Sequence, residues 1–286
     1  MPELAEVEYF RRIWAEGLGS ARIAKVEASG RRPFRGGAAA LQRLVGTRLV
    51  RSSTAAKQML FEFQGSSGRV HAWLGVHLGM SGELRMEPAG LEAGPHDHLI
   101  LRTAAAAAVY NDPRMFGRVE FHLGKEVPGW WSRIAPAVLS AAFTRAAVAA
   151  YLTRRGRAPV KAVLLQQERF PGIGNWMADE ILWRAAIHPA QPAGTLSPAQ
   201  VAALWKECRQ VCRLALRVIG GQGRRLPPGH KAHIPASWLF THRWEPGGTD
   251  PRTGTPLKRG TIGGRTTCWS PARQKLPGKK PRSRQG

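Results

Sequence analysis

The residues of this sequence best suited to covalent chemistry are its first few, Met1-Pro2-Glu3-Leu4-Ala5-Glu6. Initiator methionine is ordinarily trimmed ahead of a small second residue, so Pro2 is expected to carry a free secondary amine. An α-amino group with a reference pKa of ~8 is partly neutral near physiological pH. A neutral amine attacks a carbonyl carbon to give a Schiff base. From a secondary amine that adduct is an iminium, an electron sink that needs no further proton. Glu3 beside it is placed to move protons as general acid and base, and Glu6 follows three residues on. The same residues also suit plain architecture, since proline fits a first helical turn and acids there complement the helix dipole. From these residues alone both readings stand.

Other residues stand out by type and setting. Lys57 precedes the alternation Met59, Phe61, Phe63, which puts it at the start of a strand on its apolar side; it either snorkels to water or serves a ligand. Met80 occupies the turn Gly79-Met80-Ser81-Gly82, and Arg114 and Phe116 occupy the turn Asp112-Pro113-Arg114-Met115-Phe116-Gly117. Large apolar and cationic side chains on turns either pack locally or act as wedges that fill the space of an unstacked base. In Phe170-Pro171-Gly172-Ile173-Gly174-Asn175, two glycines allow backbone N–H groups to converge, and Asn175 is expected to N-cap a helix running to about Arg184. A helix start of this kind binds phosphate or simply begins a helical hairpin.

Lys and Arg number 43 against 19 Asp and Glu, a net charge of +24. Such an excess points to a polyanion, most simply nucleic acid. With 43% hydrophobic residues the chain is not expected to be disordered, and 286 residues suggest two domains. Three cysteines, Cys208, Cys212 and Cys268, make no disulfide framework and too few thiols for a four-cysteine zinc site. No apolar run is long enough to span a membrane, and the acidic opening is unlike a signal peptide. A cytoplasmic protein without membrane contact is expected.

The elements that must position these residues follow from periodicity. Leu4, Val7, Phe10, Ile13 and Trp14 make the stripe of an amphipathic helix over residues 3–17, ended by Gly17 and Gly19. Strands are expected at 21–28, 48–52, 59–63, 70–78, 98–101, 107–110 and 118–122, with the alanine tract 104–108 open between helix and strand. Short strands after one helix imply a β-sandwich or barrel. Beyond Trp130 and Trp131 the composition turns helical, with helices expected at 140–155, 160–167, 175–184 and 197–219. The last has a serine cap and places Cys208 and Cys212 on its apolar face. A strand at 237–243 and a hairpin of 256–262 with 265–269, turning at Gly263-Gly264, put Arg265 at a tip. After residue 271 there are six basic residues and no acidic one, a tail expected to be disordered and to add phosphate affinity.

Taken in order, Pro2-Glu3, Lys57, His77-Leu78-Gly79-Met80-Ser81-Gly82, His96-Asp97-His98, the 112–117 loop, the 171–189 helical turn and Gly263-Gly264-Arg265-Thr266-Thr267 resemble the formamidopyrimidine-DNA glycosylase family over residues 2–274. The resemblance implies an α+β fold of two domains, an N-terminal helix plus β-sandwich and a C-terminal helix-two-turns-helix domain with a β-hairpin finger. The implied division is 1–130, 131–225, a lesion loop and finger over 226–274, and a tail over 275–286. It implies base-excision repair by a monomer acting on damaged double-stranded DNA in the bacterial cytoplasm. Pro2 would attack the sugar C1′, with Glu3, Glu6 and Lys57 completing the catalytic group. DNA would be held by Lys57, His77, Met80, Arg114, Phe116, Lys161, Gly174, Asn175 and Arg265, with Met80, Arg114 and Phe116 filling the hole left by the everted base. Oxidised purines are the expected substrates, oxidised pyrimidines the alternative, and a non-catalytic nucleic-acid-binding protein the reading from another class.

Two departures from the family pattern stand out. Ala5 replaces a common proline at the start of the first helix. The family finger usually holds zinc through two Cys-x-x-Cys pairs, whereas residues 247–253 contain no cysteine and Ser270 and Arg273 fall where the second pair belongs. Cys268 comes two residues too early, and His230, His233 and His242 lack ligand spacing. The expected finger is therefore zincless, without metal or cofactor, and held by hairpin hydrogen bonds and by Trp238, Trp244 and Trp269.

Overall fold

The computed structural model describes residues 2–29, 34–35, 37–65 and 71–276. Met1, Val70 and residues 277–286, on which the trimming, one strand boundary and most of the basic tail fall, lie outside the described residues. The chain forms two compact units, Met1–Ala137 with Leu214–His233, and Val138–Arg213 with Ile234–Gly286. The helical domain and the finger thus share one unit, while the loop region 214–233 belongs with the sandwich.

In the first unit, helix α1 (Leu4–Leu18) starts at Glu3, whose backbone is extended with φ −109° and ψ −172°. The Glu3 side chain accepts the Glu6 amide, and the Glu6 carboxylate accepts the Glu3 N–H at 3.2 Å. This reciprocal capping box satisfies two backbone donors that a helix start otherwise leaves unpaired. The helix runs past Gly17 and ends at Gly19, in a positive-φ conformation.

Strands β1 (Lys25–Ala28), β2 (Thr47–Ala55), β3 (Gln58–Gly65), β4 (His71–His77), β5 (Glu83–Pro88), β6 (Asp97–Arg102), β7 (Ala106–Asn111) and β8 (Arg118–Leu123) form two antiparallel sheets, ordered β1-β6-β7-β5 and β2-β3-β4-β8. Helix α1 packs on members of both, β5, β7, β2 and β3. Trp14 meets Phe61 with ring centroids 5.3 Å apart, inside a core that also holds Phe63, Leu99 and Tyr110. Strand β5 alternates Leu84 and Met86 with Glu83, Arg85 and Glu87: Leu84 is buried and Met86 packs against Gly17 of α1, while the strand pairs with β7 and Arg85 bonds Asp97 at 2.8 Å. The alanine tract resolves into a turn followed by β7, where Ala107 and Ala108 are fully buried. Beyond the sandwich, the short α2 (Gly129–Ser132) lays the Trp130 ring on Gly75 of β4.

The second unit contains α3 (Arg145–Arg154), α4 (Val160–Leu164), α5 (Asn175–Arg184), the first part of α6 (Pro198–Val218), β9 (Lys258–Ile262) and β10 (Arg265–Trp269). Helix α3 begins later than residue 140 because the Thr144 hydroxyl accepts the Ala147 amide at 3.1 Å and caps it there. Ser197 and Gln200 form the capping box of α6, and Cys208 and Cys212 are buried as free thiols on its inner face. The expected strand at 237–243 is instead a turn of 3-10 helix at Leu239–Thr241. There the buried Glu180 takes the Phe240 amide at 3.1 Å, a donor that a sheet would have needed. The hairpin forms as expected, with Arg265 opposite Ile262 across Gly263-Gly264.

Candidate active site

Pro2 stands immediately ahead of the capping box, half-buried, while Glu3 and Glu6 are buried at 2% and 7% exposure. Both acids therefore do the architectural work that the sequence left open, and in doing so they fix the backbone that carries Pro2. The next turn is tied to the sheet: Glu8 accepts the Thr54 hydroxyl at 2.9 Å, and Arg11 donates to Ser52 at 2.6 Å. Thr54 lies near the end of β2, and the turn that follows holds Ala56, with φ 53°, and Lys57. Lys57 is thus a hairpin-turn residue, not part of β3, and the start of α1 lies beside its hairpin.

His77 closes β4 opposite Gln58. Burial, with the charges of Arg118 and Lys57, pushes its imidazole down to about 4, and its Nδ1 accepts the Gly79 amide at 3.1 Å. A neutral His77 is what that acceptor role demands. Gly79 has φ 62°, and a Cβ there would run into the backbone of Phe116 and Gly117, so the Met80 turn lies directly on the Arg114-Phe116 turn. Arg114 sits 5.0 Å from the Phe116 ring centroid; Phe116 and Met115 are 57% and 51% exposed, and Met115 has φ 55°. Lys57, His77, Met80, Arg114 and Phe116 thus lie on adjoining turns and a strand end of this unit, with Arg114, Met115 and Phe116 exposed and Met80 and His77 partly buried.

The second unit pairs two of the expected contacts. Asn175 Nδ2 donates to the Thr266 carbonyl at 2.9 Å, next to the exposed Arg265. Gly263 rests on Ala162 of α4, where any Cβ would collide. The cap of α5 is Gly174, extended at φ −124° and ψ −155°, and Asn175 is the first helical residue, its side chain bonded across to the hairpin instead of capping. Lys161 corrects a further expectation. It is fully buried, donating to Asp179 and, at 2.6 Å, to the Asn175 carbonyl, so it positions the helix start and does not reach a phosphate.

Three features carry these sites yet were not singled out in the sequence. The fully buried Asp112 accepts Gly117 N at 2.7 Å, Ser81 Oγ at 3.1 Å and Tyr110 OH at 3.2 Å, joining the Met80 turn to the Arg114-Phe116 turn. Asp before Pro is a turn signal that would have found it. Asp179, buried on α5, takes Lys161, Arg243 and the Cys268 amide at 3.0 Å, linking α4, α5 and β10. Arg12 donates to the carbonyls of Gly220, Gly221 and Arg224, and His230 lies against Tyr9 and Phe10 at 5.7 and 5.5 Å, so the loop over 220–233 is seated on α1. No local pattern announces that long-range clamp.

Residues 1–119 match the formamidopyrimidine-DNA glycosylase N-terminal domain and residues 134–225 the formamidopyrimidine-DNA glycosylase H2TH domain. Formamidopyrimidine-DNA glycosylases of Rhizorhabdus wittichii and Aromatoleum aromaticum are each 34% identical, covering 96% of this chain and 100% of their own. Among solved structures, wild-type Lactococcus lactis Fpg in complex with an oxidized pyrimidine containing DNA superposes with a TM-score of 0.82 at 25% identity, over 96% of this chain and 100% of that one. The same protein with a N7-benzyl-Fapy-dG containing DNA gives 0.81 at 25%, with the same coverage. The chain belongs to the formamidopyrimidine-DNA glycosylase family, the DNA glycosylases of base-excision repair. Among the described residues no helix is long and apolar enough to cross a membrane.

Proposed function

We propose that this chain is a bifunctional DNA glycosylase and AP lyase, acting as a monomer on double-stranded DNA and removing oxidised purines such as 8-oxoguanine and formamidopyrimidines. The observation that carries the reading is the Glu3-Glu6 capping box, which holds Pro2 at the head of α1 beside the Lys57 hairpin. With Met1 removed, the Pro2 amine attacks C1′ of the everted nucleotide and the C1′–N bond to the base breaks, the base leaving with a proton. Glu3 protonates O4′ as the sugar ring opens, leaving an iminium between Pro2 and C1′. That iminium acidifies the C2′ proton, and its removal expels the 3′ phosphate by β-elimination. A second, δ-elimination expels the 5′ phosphate, and water then releases Pro2. Met80, Arg114 and Phe116 fill the space of the everted base, while Lys57, Asn175 and Arg265 grip the phosphates around it, the two cations by charge and the neutral amide by hydrogen bonding.

Borohydride reduction of the iminium tests this directly, on duplexes carrying an abasic site, 8-oxoguanine or thymine glycol, with Pro2→Gly and Glu3→Gln as controls. A covalent adduct mapping to Pro2, greatest on 8-oxoguanine, is expected. Greatest yield on thymine glycol would select the oxidised-pyrimidine reading. Tight duplex binding with no adduct even at the abasic site would leave a nucleic-acid-binding protein without excision.

A further inference from the structure

The finger is built from two turns of the same geometry. At Asp250-Pro251-Arg252-Thr253, the amides of Thr253 and Gly254 both donate to the Asp250 carbonyl, at 3.2 and 2.8 Å. At Ser270-Pro271-Ala272-Arg273, the amides of Arg273 and Gln274 both donate to the Ser270 carbonyl, at 3.2 and 2.8 Å. Two knuckles with ligand-type spacing, x-x between the outer residues, form the framework on which a tetrahedral metal site is ordinarily hung. Their side chains here are Asp250, Thr253, Ser270 and Arg273, and this donor set does not fit zinc. It offers one carboxylate and two neutral hydroxyls, and its fourth member is a guanidinium, permanently positive and without a lone pair. Arg273 Nη1 is buried with no hydrogen-bond partner, and a guanidinium N–H calls for an acceptor, not for a cation. Cys268 does not repair the set: it is buried in β10 with its thiol pushed up to about 11, chiefly by burial. Among the described residues no three His, Cys, Asp or Glu side chains converge as a metal site.

We infer that these knuckles are closed without metal, by a cluster centred on the indole of Trp183 in α5. Trp183 Nε1 donates to Asp250 Oδ2 at 3.2 Å. The guanidinium carbons of Arg252 and Arg273 lie 4.6 and 5.0 Å from the Trp183 ring, one cation from each knuckle. Asp250 is 1% exposed; burial pushes its carboxyl up, but Ser270, the Arg252 amide, Trp183 and the Arg273 charge together bring it below the usual carboxylate value. The Arg252 amide bonds Asp250 Oδ1 at 2.8 Å, so the carboxylate closes its own knuckle as it reaches Trp183. In the second knuckle Gln274 serves the same end, accepting Ser270 N at 2.8 Å and donating to Ile187 O at 2.9 Å just past α5. Each knuckle is thereby fastened to the helix that begins at Asn175, and the cluster holds the Arg265 hairpin in place as a bound ion would. The finger's organising indole is thus Trp183, whereas the exposed Trp244 meets Phe240 edge-on and carries the Arg243 guanidinium 4.7 Å from its ring centroid.

The full-length protein tests this without reference to catalysis. Elemental analysis after dialysis should find under about a tenth of an equivalent of zinc, and a chelator should leave the melting temperature unchanged. Asp250→Ala should lower it by about 5 °C and weaken binding to a duplex bearing a tetrahydrofuran abasic analogue about tenfold, whereas Thr253→Val, which removes a hydroxyl that a metal site would need, should change neither. Asp250→Asn and Arg273→Gln, compared singly and together, should have markedly non-additive effects on melting temperature. About one equivalent of tightly held zinc, a chelator-induced fall in melting temperature, or an Asp250→Ala protein indistinguishable from wild type would each overturn the inference.

Discussion

Asp112 is the residue whose removal should most directly disarm the wedge turns without touching any of their exposed side chains. Its carboxylate takes three donors, the Gly117 amide, the Tyr110 hydroxyl and the Ser81 hydroxyl, and is fully buried. A hydrogen bond to a charged acceptor contributes roughly 1.5–3 kcal/mol, and each buried donor left without a partner costs about 1–3 kcal/mol. Allowing for relaxation and non-additivity, Asp112→Ala should cost about 3–5 kcal/mol. Asp112→Asn keeps an oxygen for Gly117 and Tyr110, and the Ser81 hydroxyl can rotate to accept from the new amide, so only the charge is lost, about 1–2 kcal/mol. Ser81→Ala should cost about 1 kcal/mol. At about 2–4 °C per kcal/mol for a chain of this size, the order of melting temperatures is wild type, Ser81→Ala, Asp112→Asn, Asp112→Ala. The functional readout is the fluorescence of 2-aminopurine placed opposite an abasic analogue, which reports filling of the vacated space. Asp112→Asn should reduce the wedge-dependent change while Phe116→Ala abolishes it. An Asp112→Ala protein with unaltered melting and an unaltered 2-aminopurine signal would refute the anchoring role.

Three further outcomes follow from the geometry. Lys161→Met breaks a buried ion pair with Asp179 and should cost about 3–5 kcal/mol in denaturant unfolding, yet leave the slope of log binding constant against log salt unchanged; Arg265→Ala should reduce that slope by about one at little cost in stability. His77 titrates in the unfolded chain near 6.5 and in the fold at about 4, so the unfolded state takes up the proton first. Stability present above the unfolded value is therefore lost as pH falls from 6.5 towards 4, by up to about 3 kcal/mol, and His77→Asn should flatten this part of the pH-stability curve. Arg12→Ala removes three carbonyl contacts at the base of the 220–233 loop; amide exchange there should accelerate about tenfold or more, and unchanged exchange would show that the loop is held by other contacts.

Periodicity and local chemistry made the larger elements legible in the sequence. The stripe from Leu4 to Trp14, the alternation of β3 and the Ser197 cap of α6 are short-range patterns, and Gly79 of the Met80 turn and the Gly263-Gly264 tip mark backbone geometry that other residues rarely adopt. The exposure of Arg114 and Phe116 was legible for a related reason, since large side chains on turns have little to bury against. Tertiary structure decided what these patterns leave undetermined. The alanines of β7 form a strand because neighbouring strands complete their hydrogen bonds, and residues 237–243 fail to form one because Glu180 claims the Phe240 amide. A lysine in α4 reads as a DNA contact until a carboxylate eighteen residues away, on α5, buries it. Asn175 reads as a cap until a hairpin some ninety residues on takes its amide. The sequence by itself singled out Pro2, Glu3 and the large side chains of the 79–82 and 112–117 turns, and showed that the expected zinc-ligand positions of the finger hold no cysteine. Only the fold decided what occupies their place, because buried charges and hydrogen bonds take their meaning from partners distant in the chain, and spacing along the chain does not encode those partners.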